Sequence, residues 1–343
     1  MCNLFPDEQV AVDFSVKIPI FIGKNKKTYY IGKEKGILKK YEGNAFSGYE
    51  FHTIHGFIYF LSKNKDKYPT ESYNAVFYLQ LEKEQELTLE AIQSCKKKLL
   101  VGKHPSVSEI VSSWYNGFQY KQEKQNESGT IVQYGLRPPQ IGALHSILAH
   151  WSISNKSALV VMPTGTGKTE TMLCLSIANQ NEKTLVIVPT DSLRTQISNK
   201  FIELGILKTK PFEIVANSVL YPKVSVLKTT IETVEDAKKI LDANVIVSTP
   251  QILTNLLKTG KSNIFNLIVQ QCNNLIVDEA HHIAAKTWKE IKLKFEVAEK
   301  PVLLFTATPF RNDGGRIEGE IIYNYPLSLA QRDRYYEKIT FVP

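Results

Sequence analysis

Met162–Thr169 reads MPTGTGKT. It follows a short apolar run, Ala158–Met162, and precedes a segment with helical apolar spacing, Thr169–Ala178. A strand that runs into a Gly-rich turn and then a helix is the context a phosphate-binding loop needs. Gly165 and Gly167 let the backbone turn tightly, so that successive N–H groups can point at a phosphate. The helix N-terminus adds a favourable dipole. Pro163, Thr164 and Thr166 complete the loop. Lys168 is placed to reach the β- and γ-phosphates, and the Thr169 hydroxyl to meet Mg²⁺. The strict pattern G-x-x-x-x-G-K-[ST] has Met162 where its first glycine would stand. The bland alternative is a chance Gly/Thr turn before a helix, and the strand–loop–helix context argues against it.

Around this loop the pattern repeats. Short runs that are apolar throughout occur at Ala158–Met162, Thr184–Val188, Val245–Val247, Asn274–Val277 and Pro301–Phe305. Strands buried on both faces of a parallel sheet read this way. Helical segments separate them: an amphipathic one over Thr169–Ala178, one through Leu204 that Asp191 can cap, and one opened by Thr249 with Pro250 at the first helical position. Alternating strands and helices predict a doubly wound α/β domain with ligands at the carboxyl ends of the strands.

At one such end, Asn274–His282 reads NLIVDEAHH, an apolar strand running into two carboxylates. Asp278 can hold Mg²⁺, and Glu279 can orient and deprotonate an attacking water. Hard divalent cations prefer carboxylate oxygens, and phosphoryl transfer depends on positioning and charge neutralisation. The His281–His282 pair invites a zinc reading, but no cysteine or further histidine lies at ligand spacing and HExxH is absent.

Together MPTGTGKT and DEAHH resemble motifs I and II of superfamily 2 helicases. Further segments agree in order. Leu136–Gln140 (LRPPQ) resembles the segment in which a glutamine, here Gln140, reads adenine. Pro189–Gln196 (PTDSLRTQ) resembles motif Ia. Val247–Gln251 (VSTPQ) resembles a motif that touches the nucleic-acid backbone, and Phe305–Arg311 (FTATPFR) resembles motif III. The resemblance covers about residues 131–330 and implies a RecA-like domain that uses ATP and Mg²⁺. It implies that Thr306, Thr308 and His281 couple the ATP site to the strand-binding face. It also implies that Arg194 and Thr249 approach nucleic-acid phosphates. For Arg194 the bland alternative is a solvated helix residue. DEAHH and TAT followed by Pro309 are similar to the restriction and repair branch, which favours double-stranded DNA over RNA without excluding RNA.

Motors of this superfamily have two RecA-like domains, and the second supplies an arginine finger. No match to its motifs follows motif III, so residues 331–343 are expected to lead toward a second domain or partner subunit. The chain by itself is expected to bind ATP weakly and hydrolyse it poorly. A non-hydrolysing ATP/DNA sensor acting through a partner is the competing function, against which the intact Glu279 argues. A GTPase is disfavoured because Asn-Lys-x-Asp is absent.

Before this region, residues 1–125 are expected to form a small α+β domain of unrecognised family. Lys121–Thr130 (KQEKQNESGT) has the composition of a solvated linker. Strands are predicted near Val12–Phe21, Thr28–Leu38, Phe51–Leu61 and Ala75–Leu81, and helices at Leu87–Leu100 and Ser106–Trp114. His52 and His55 read as a strand or turn pair with no metal role. Lys24, Lys26 and Lys27, and Lys96 to Lys98, read as solvated faces before DNA contacts. Nothing in residues 1–130 places lysine two positions after an acidic residue in a nuclease pattern.

The net charge of +8 among 343 residues, with 43% apolar and 22% charged residues, suits a soluble protein with a polyanionic partner. Four cysteines without metal-site spacing, Cys174 and Cys272 in apolar segments, argue against a disulfide framework. No apolar run approaches a membrane span and the N-terminus lacks a signal pattern, so the expected location is the cytoplasm.

Overall fold

The structure, a computed structural model, describes residues 10–53, 56–80, 91–92, 95–102, 105–282, 285–310 and 314–336. It is mixed α/β and divides into two compact units. The first takes in residues up to Ile20 and Thr28–Pro105, the second Phe21–Lys27 and Ser106 onward.

The first unit is built from strands β1 (Val10–Ile22) and β2 (Asn25–Glu42), apart from Phe21–Lys27 which belong to the second unit, and from β3 (Ser47–Thr53), β4 (Ile58–Ser62), β5 (Ala75–Gln80) and β6 (Lys96–Gly102). β2, β3 and β4 pair antiparallel in sequence, β4 pairs parallel with β5, and β5 antiparallel with β6. Phe51, Phe60 and Phe77 are fully buried in its core. The run expected as one strand over Phe51–Leu61 is divided, because Gly56 takes a positive φ of 83° in the turn between β3 and β4. The helix expected over Leu87–Leu100 is also corrected. Residues 81–90 lie outside the described part, and Lys96–Leu100 belong to β6, where pairing with β5 overrides the helical spacing.

The second unit opens with helix α1 (Val107–Ser113), capped by Ser106 in a capping box with Glu109. Trp114 Nε1 donates to Leu220 O at 3.0 Å, and Leu220 N donates to Ser113 Oγ at 2.9 Å. The division between units therefore falls at Ser106, not in Lys121–Thr130. That polar stretch carries β7 (Lys124–Gln125), paired antiparallel with β8 (Ile131–Gln133). Its polar side chains sit on a short exposed hairpin, a structure that composition does not separate from a linker.

After α2 (Pro138–Ile153), strands and helices alternate: β9 (Ala158–Val161), α3 (Lys168–Ala178), β10 (Thr184–Ile187), α4 (Asp191–Glu203), β11 (Val224–Val226), α5 (Val234–Leu241), β12 (Val245–Ser248), α6 (Pro250–Lys258), α7 (Ser262–Gln271), β13 (Asn274–Val277), α8 (Ala285–Val297), β14 (Val302–Thr306), β15 (Glu320–Asn324) and α9 (Leu327–Arg332). The sheet order is β15-β9-β14-β13-β10-β12-β11, and these pairings are parallel. β9, β10, β12, β13 and β14 are buried along their whole lengths, as their apolar runs predict, and β11, which none of those runs covers, is buried as well. The chain passes from β9 across to β10, and β13 and β14 later fill the gap between them. That gap is a topological switch point, where a crevice opens outside the carboxyl ends.

Two local expectations change. α3 is not amphipathic: Thr171 through Ile177 are all buried, since the helix after the loop packs on both sides. Thr190, not Asp191, caps α4, its hydroxyl accepting from Leu193 N at 3.3 Å. Among the described residues, no helix is long and apolar enough to cross a membrane.

Candidate phosphate and metal site

Three strand tips converge at the switch point. β9 delivers the loop, β13 the Asp278–Glu279 pair, and β14, lying between them in the sheet, delivers Thr306. Met162 N donates to Thr306 O at 2.9 Å, which ties the loop's first residue to β14. Gly165 and Gly167 have φ of +82° and +97°, and Gly167 is the left-handed cap of α3. A Cβ on Gly167 would lie 2.0 Å from Gln140 Nε2, so no other residue fits there without moving that side chain. Thr166 is buried, and its hydroxyl donates to Pro163 O at 2.7 Å. Pro163 and Thr166 thus brace the loop, while Thr164, Gly165, Gly167, Lys168 and Thr169 line a cleft.

Lys168 is 7% exposed. Its Nζ lies 3.0 Å from Glu279 Oε1 and donates to Met162 O at 3.3 Å. Asp278 is buried, and its Oδ1 accepts from Glu279 N at 3.0 Å. Burial, and then the neighbouring Glu279 charge, push the Asp278 carboxyl up to about 7, with Lys168 opposing. Glu279 takes a left-handed φ of +48°, unfavourable for a residue with a Cβ, as β13 turns sharply into a 3-10 turn over Ala280–His282. Its Oε2 is buried without a hydrogen bond.

These features fit a phosphate and a divalent cation. The buried Asp278 and the half-buried Glu279 adjoin, Lys168 is the lysine in contact with the pair, and one Glu279 oxygen is buried without a donor. Asp278 and Thr169 could hold the cation, the loop and Lys168 the phosphate. Among the described residues, no His/Cys/Asp/Glu cluster has the makings of a closed metal site of its own.

His281 Nδ1 lies 2.9 Å from Thr306 Oγ1 and 3.5 Å from Glu279 Oε2. The Thr306 hydroxyl donates to Thr308 O at 2.7 Å, so the hydrogen of the histidine bond comes from Nδ1. Burial, with the His282 charge, lowers the His281 pKa and favours the neutral ring. Thr308 is exposed, and its hydroxyl donates to Phe310 O at 2.9 Å. A chain of contacts therefore joins β13 to β14 through His281.

Arg194 and Thr249 sit beyond the tips of β10 and β12, on the same edge of the sheet. Arg194 is not a solvated helix residue: its side chain is 6% exposed and pairs with Asp191 at 2.9 Å. Thr249 is buried at the N-cap of α6 without a side-chain cap bond. Lys27 departs from the expected solvated run, buried with its Nζ 2.6 Å from Asp242. Lys97 is likewise buried, donating to Cys95 O. His52 pairs with Glu50 at 2.9 Å, and His55 and Arg311 lie outside the described residues.

Gln140 is buried, with Oε1 accepting from Arg137 N at 2.7 Å and Nε2 donating to Gly167 O at 3.3 Å. Arg137 Nη1 donates to Gly165 O at 3.0 Å, and its guanidinium stacks over Tyr335. Sequence reasoning singled out neither Arg137 nor Glu123, which also lines the cleft. Arg137 lay inside the quoted LRPPQ, whereas nothing in KQEKQNESGT marks Glu123, two residues into that stretch, as a cleft residue.

Residues 133–311, more than half of the chain, match the family described as "Type III restriction enzyme, res subunit". No curated protein matches. Similar solved structures include the Pyrococcus furiosus Hef helicase domain, 24% identical over 48% of this chain and 32% of that one, TM-score 0.33. T4 UvsW is 18% identical over 64% and 39%, TM-score 0.38. The type ISP restriction-modification enzyme LlaBIII bound to DNA is 14% identical over 83% and 22%, TM-score 0.37. The chain spans well under half the length of each. By the match over residues 133–311, the chain belongs to the type III restriction enzyme res-subunit family and carries a superfamily 2 helicase-type RecA-like domain.

Proposed function

We propose that the second unit binds ATP with Mg²⁺ and hydrolyses it in response to DNA, double-stranded DNA being the favoured track. One observation carries the reading: the Lys168 ammonium and the Glu279 carboxylate, 111 positions apart, meet at 3.0 Å at the mouth of the loop. The phosphate-handling cation and the water-orienting base thus share one pocket. The loop and Lys168 bind the triphosphate, and Thr169 and Asp278 position the cation. The cation supplies charge neutralisation on the phosphoryl oxygens when bound. Glu279 accepts the proton of the attacking water at Oε1 or Oε2. The Lys168–Glu279 contact opens when phosphate replaces the carboxylate on the ammonium.

Among the described residues that line the cleft, Arg137 supplies the single guanidinium, and it is committed to Gly165 O and Tyr335. Efficient turnover is therefore proposed to need a second RecA-like domain, in the same polypeptide or a partner, whose arginine faces the cleft. The +8 net charge supports an anionic track. Arg194 and Thr249 are proposed to approach its backbone from the neighbouring strand tips.

The test is ATP binding and hydrolysis by the purified chain, with and without duplex DNA, beside Lys168→Ala and Glu279→Gln. Mg²⁺-dependent ATP binding that Lys168→Ala abolishes is expected, with slow turnover. ATP binding that survives Lys168→Ala unchanged would overturn the proposal.

A further inference from the structure

We infer that Glu123 sets the base selectivity of the cleft, favouring a purine that carries an exocyclic amine over one with a carbonyl in that place. This rests on the reading of the cleft as a nucleotide site.

The cleft extends from the phosphate loop to a wall made by Glu123, Gly135, Arg137 and Gln140. A glutamine there can in principle read both a donor and an acceptor on a base. Gln140 is already engaged on both sides: its oxygen accepts from Arg137 N and its amide donates to Gly167 O. What it has left to offer is chiefly a donor hydrogen. An exocyclic amine needs an acceptor, and Glu123 provides one.

Glu123 is a side chain 4% exposed, yet it lines the cleft. Its Oε1 accepts from Gln125 Nε2 at 3.1 Å and from Tyr335 Oη at 3.3 Å. Its Oε2 has no hydrogen-bond partner among the described residues, only Arg137 Nε at 4.0 Å. A carboxylate accepts and never donates. A base amine facing Oε2 gains a charge-assisted hydrogen bond, whereas a base carbonyl there meets like polarity at a side chain only 4% exposed. Discrimination by such an unmatched polar pair is on the order of tenfold to a hundredfold or more.

The experiment is equilibrium binding of ATP and of inosine 5′-triphosphate, which differs by a 6-oxo in place of the 6-amino group, in the presence of Mg²⁺. It is run on the wild-type chain, Glu123→Gln and Lys168→Ala. The wild type is expected to prefer ATP by at least about tenfold. Glu123→Gln, whose amide can rotate to donate, is expected to bring that ratio to within about threefold while keeping ATP binding. An unchanged ratio in Glu123→Gln, with ATP binding lost in Lys168→Ala, overturns this inference and leaves the nucleotide site standing. ATP binding unaffected by Lys168→Ala overturns the nucleotide reading itself. Should Glu123→Gln fold poorly, the wild-type ratio decides: equal binding of the two triphosphates refutes the role, and a tenfold preference lost in Gln125→Ala plus Tyr335→Phe, which free the same carboxylate to move, supports it.

Discussion

The two ends of the parallel sheet make opposite use of buried polarity. At the carboxyl ends, Lys168, Asp278 and Glu279 are ionisable and crowded, and Glu279 is strained. At the amino ends, a cleft of about 380 Å³ is lined by neutral groups, among them Trp151, Asn181 and Asn274. Trp151 Nε1, Asn181 Nδ2 and Asn274 Oδ1 are buried there without partners, as Glu279 Oε2 is at the other end. Unpaired polarity alone therefore does not mark a reactive site. What distinguishes the carboxyl end is net charge held close together on sharp turns, which an anion and a cation could jointly relieve.

The largest effect that should separate the ends is on turnover. Glu279→Gln is expected to lower ATP hydrolysis by about 10²–10⁴-fold while leaving ATP affinity within a few-fold, as read by single-turnover kinetics and calorimetry. A matching loss of affinity would make Glu279 a partner of Lys168 and nothing more. Next comes stability. In the metal- and nucleotide-free protein at neutral pH, Asp278→Asn should stabilise the second unit by about 1–3 kcal/mol, because it removes a buried carboxyl whose ionisation folding disfavours. Denaturant titration in chelator checks this, and destabilisation would show that Lys168 already balances the pair.

A smaller effect concerns the link between β13 and β14. His281→Ala and Thr306→Val should be non-additive, with a coupling of about 0.5–1.5 kcal/mol in a double-mutant cycle on stability. Additive losses would mean the 2.9 Å contact carries no energy. The smallest effect belongs to the amino end. Asn274→Ala should cost less than about 1 kcal/mol and leave ATP affinity unchanged, since the buried side-chain oxygen has no bond to lose. A larger loss would reveal a bound water or ligand in that cleft and make the two ends more alike.

The second unit was legible because its signals are local. Five apolar runs with no polar face can only be strands covered on both sides, and glycines before Lys168 are required by positive φ. The first unit was less legible because its sheet is held by long-range pairing. Nothing within Lys96–Leu100 reports that β5 will lie beside it. The Lys121–Thr130 stretch misled for a related reason: exposure of most of a hairpin looks like a linker, and the one residue turned inward, Glu123, has no neighbour in sequence to announce it.

By itself the sequence determined the parallel α/β class, the loop and the acidic pair, since each follows from the conformational needs of a few adjacent residues. Tertiary structure alone decided which of them meet. It set Lys168 against Glu279, joined His281 to Thr306, buried Arg194 and Lys27, and turned Glu123 toward the cleft. Those contacts depend on strand order and on the depth at which each charge is buried, quantities that arise only when distant segments pack together.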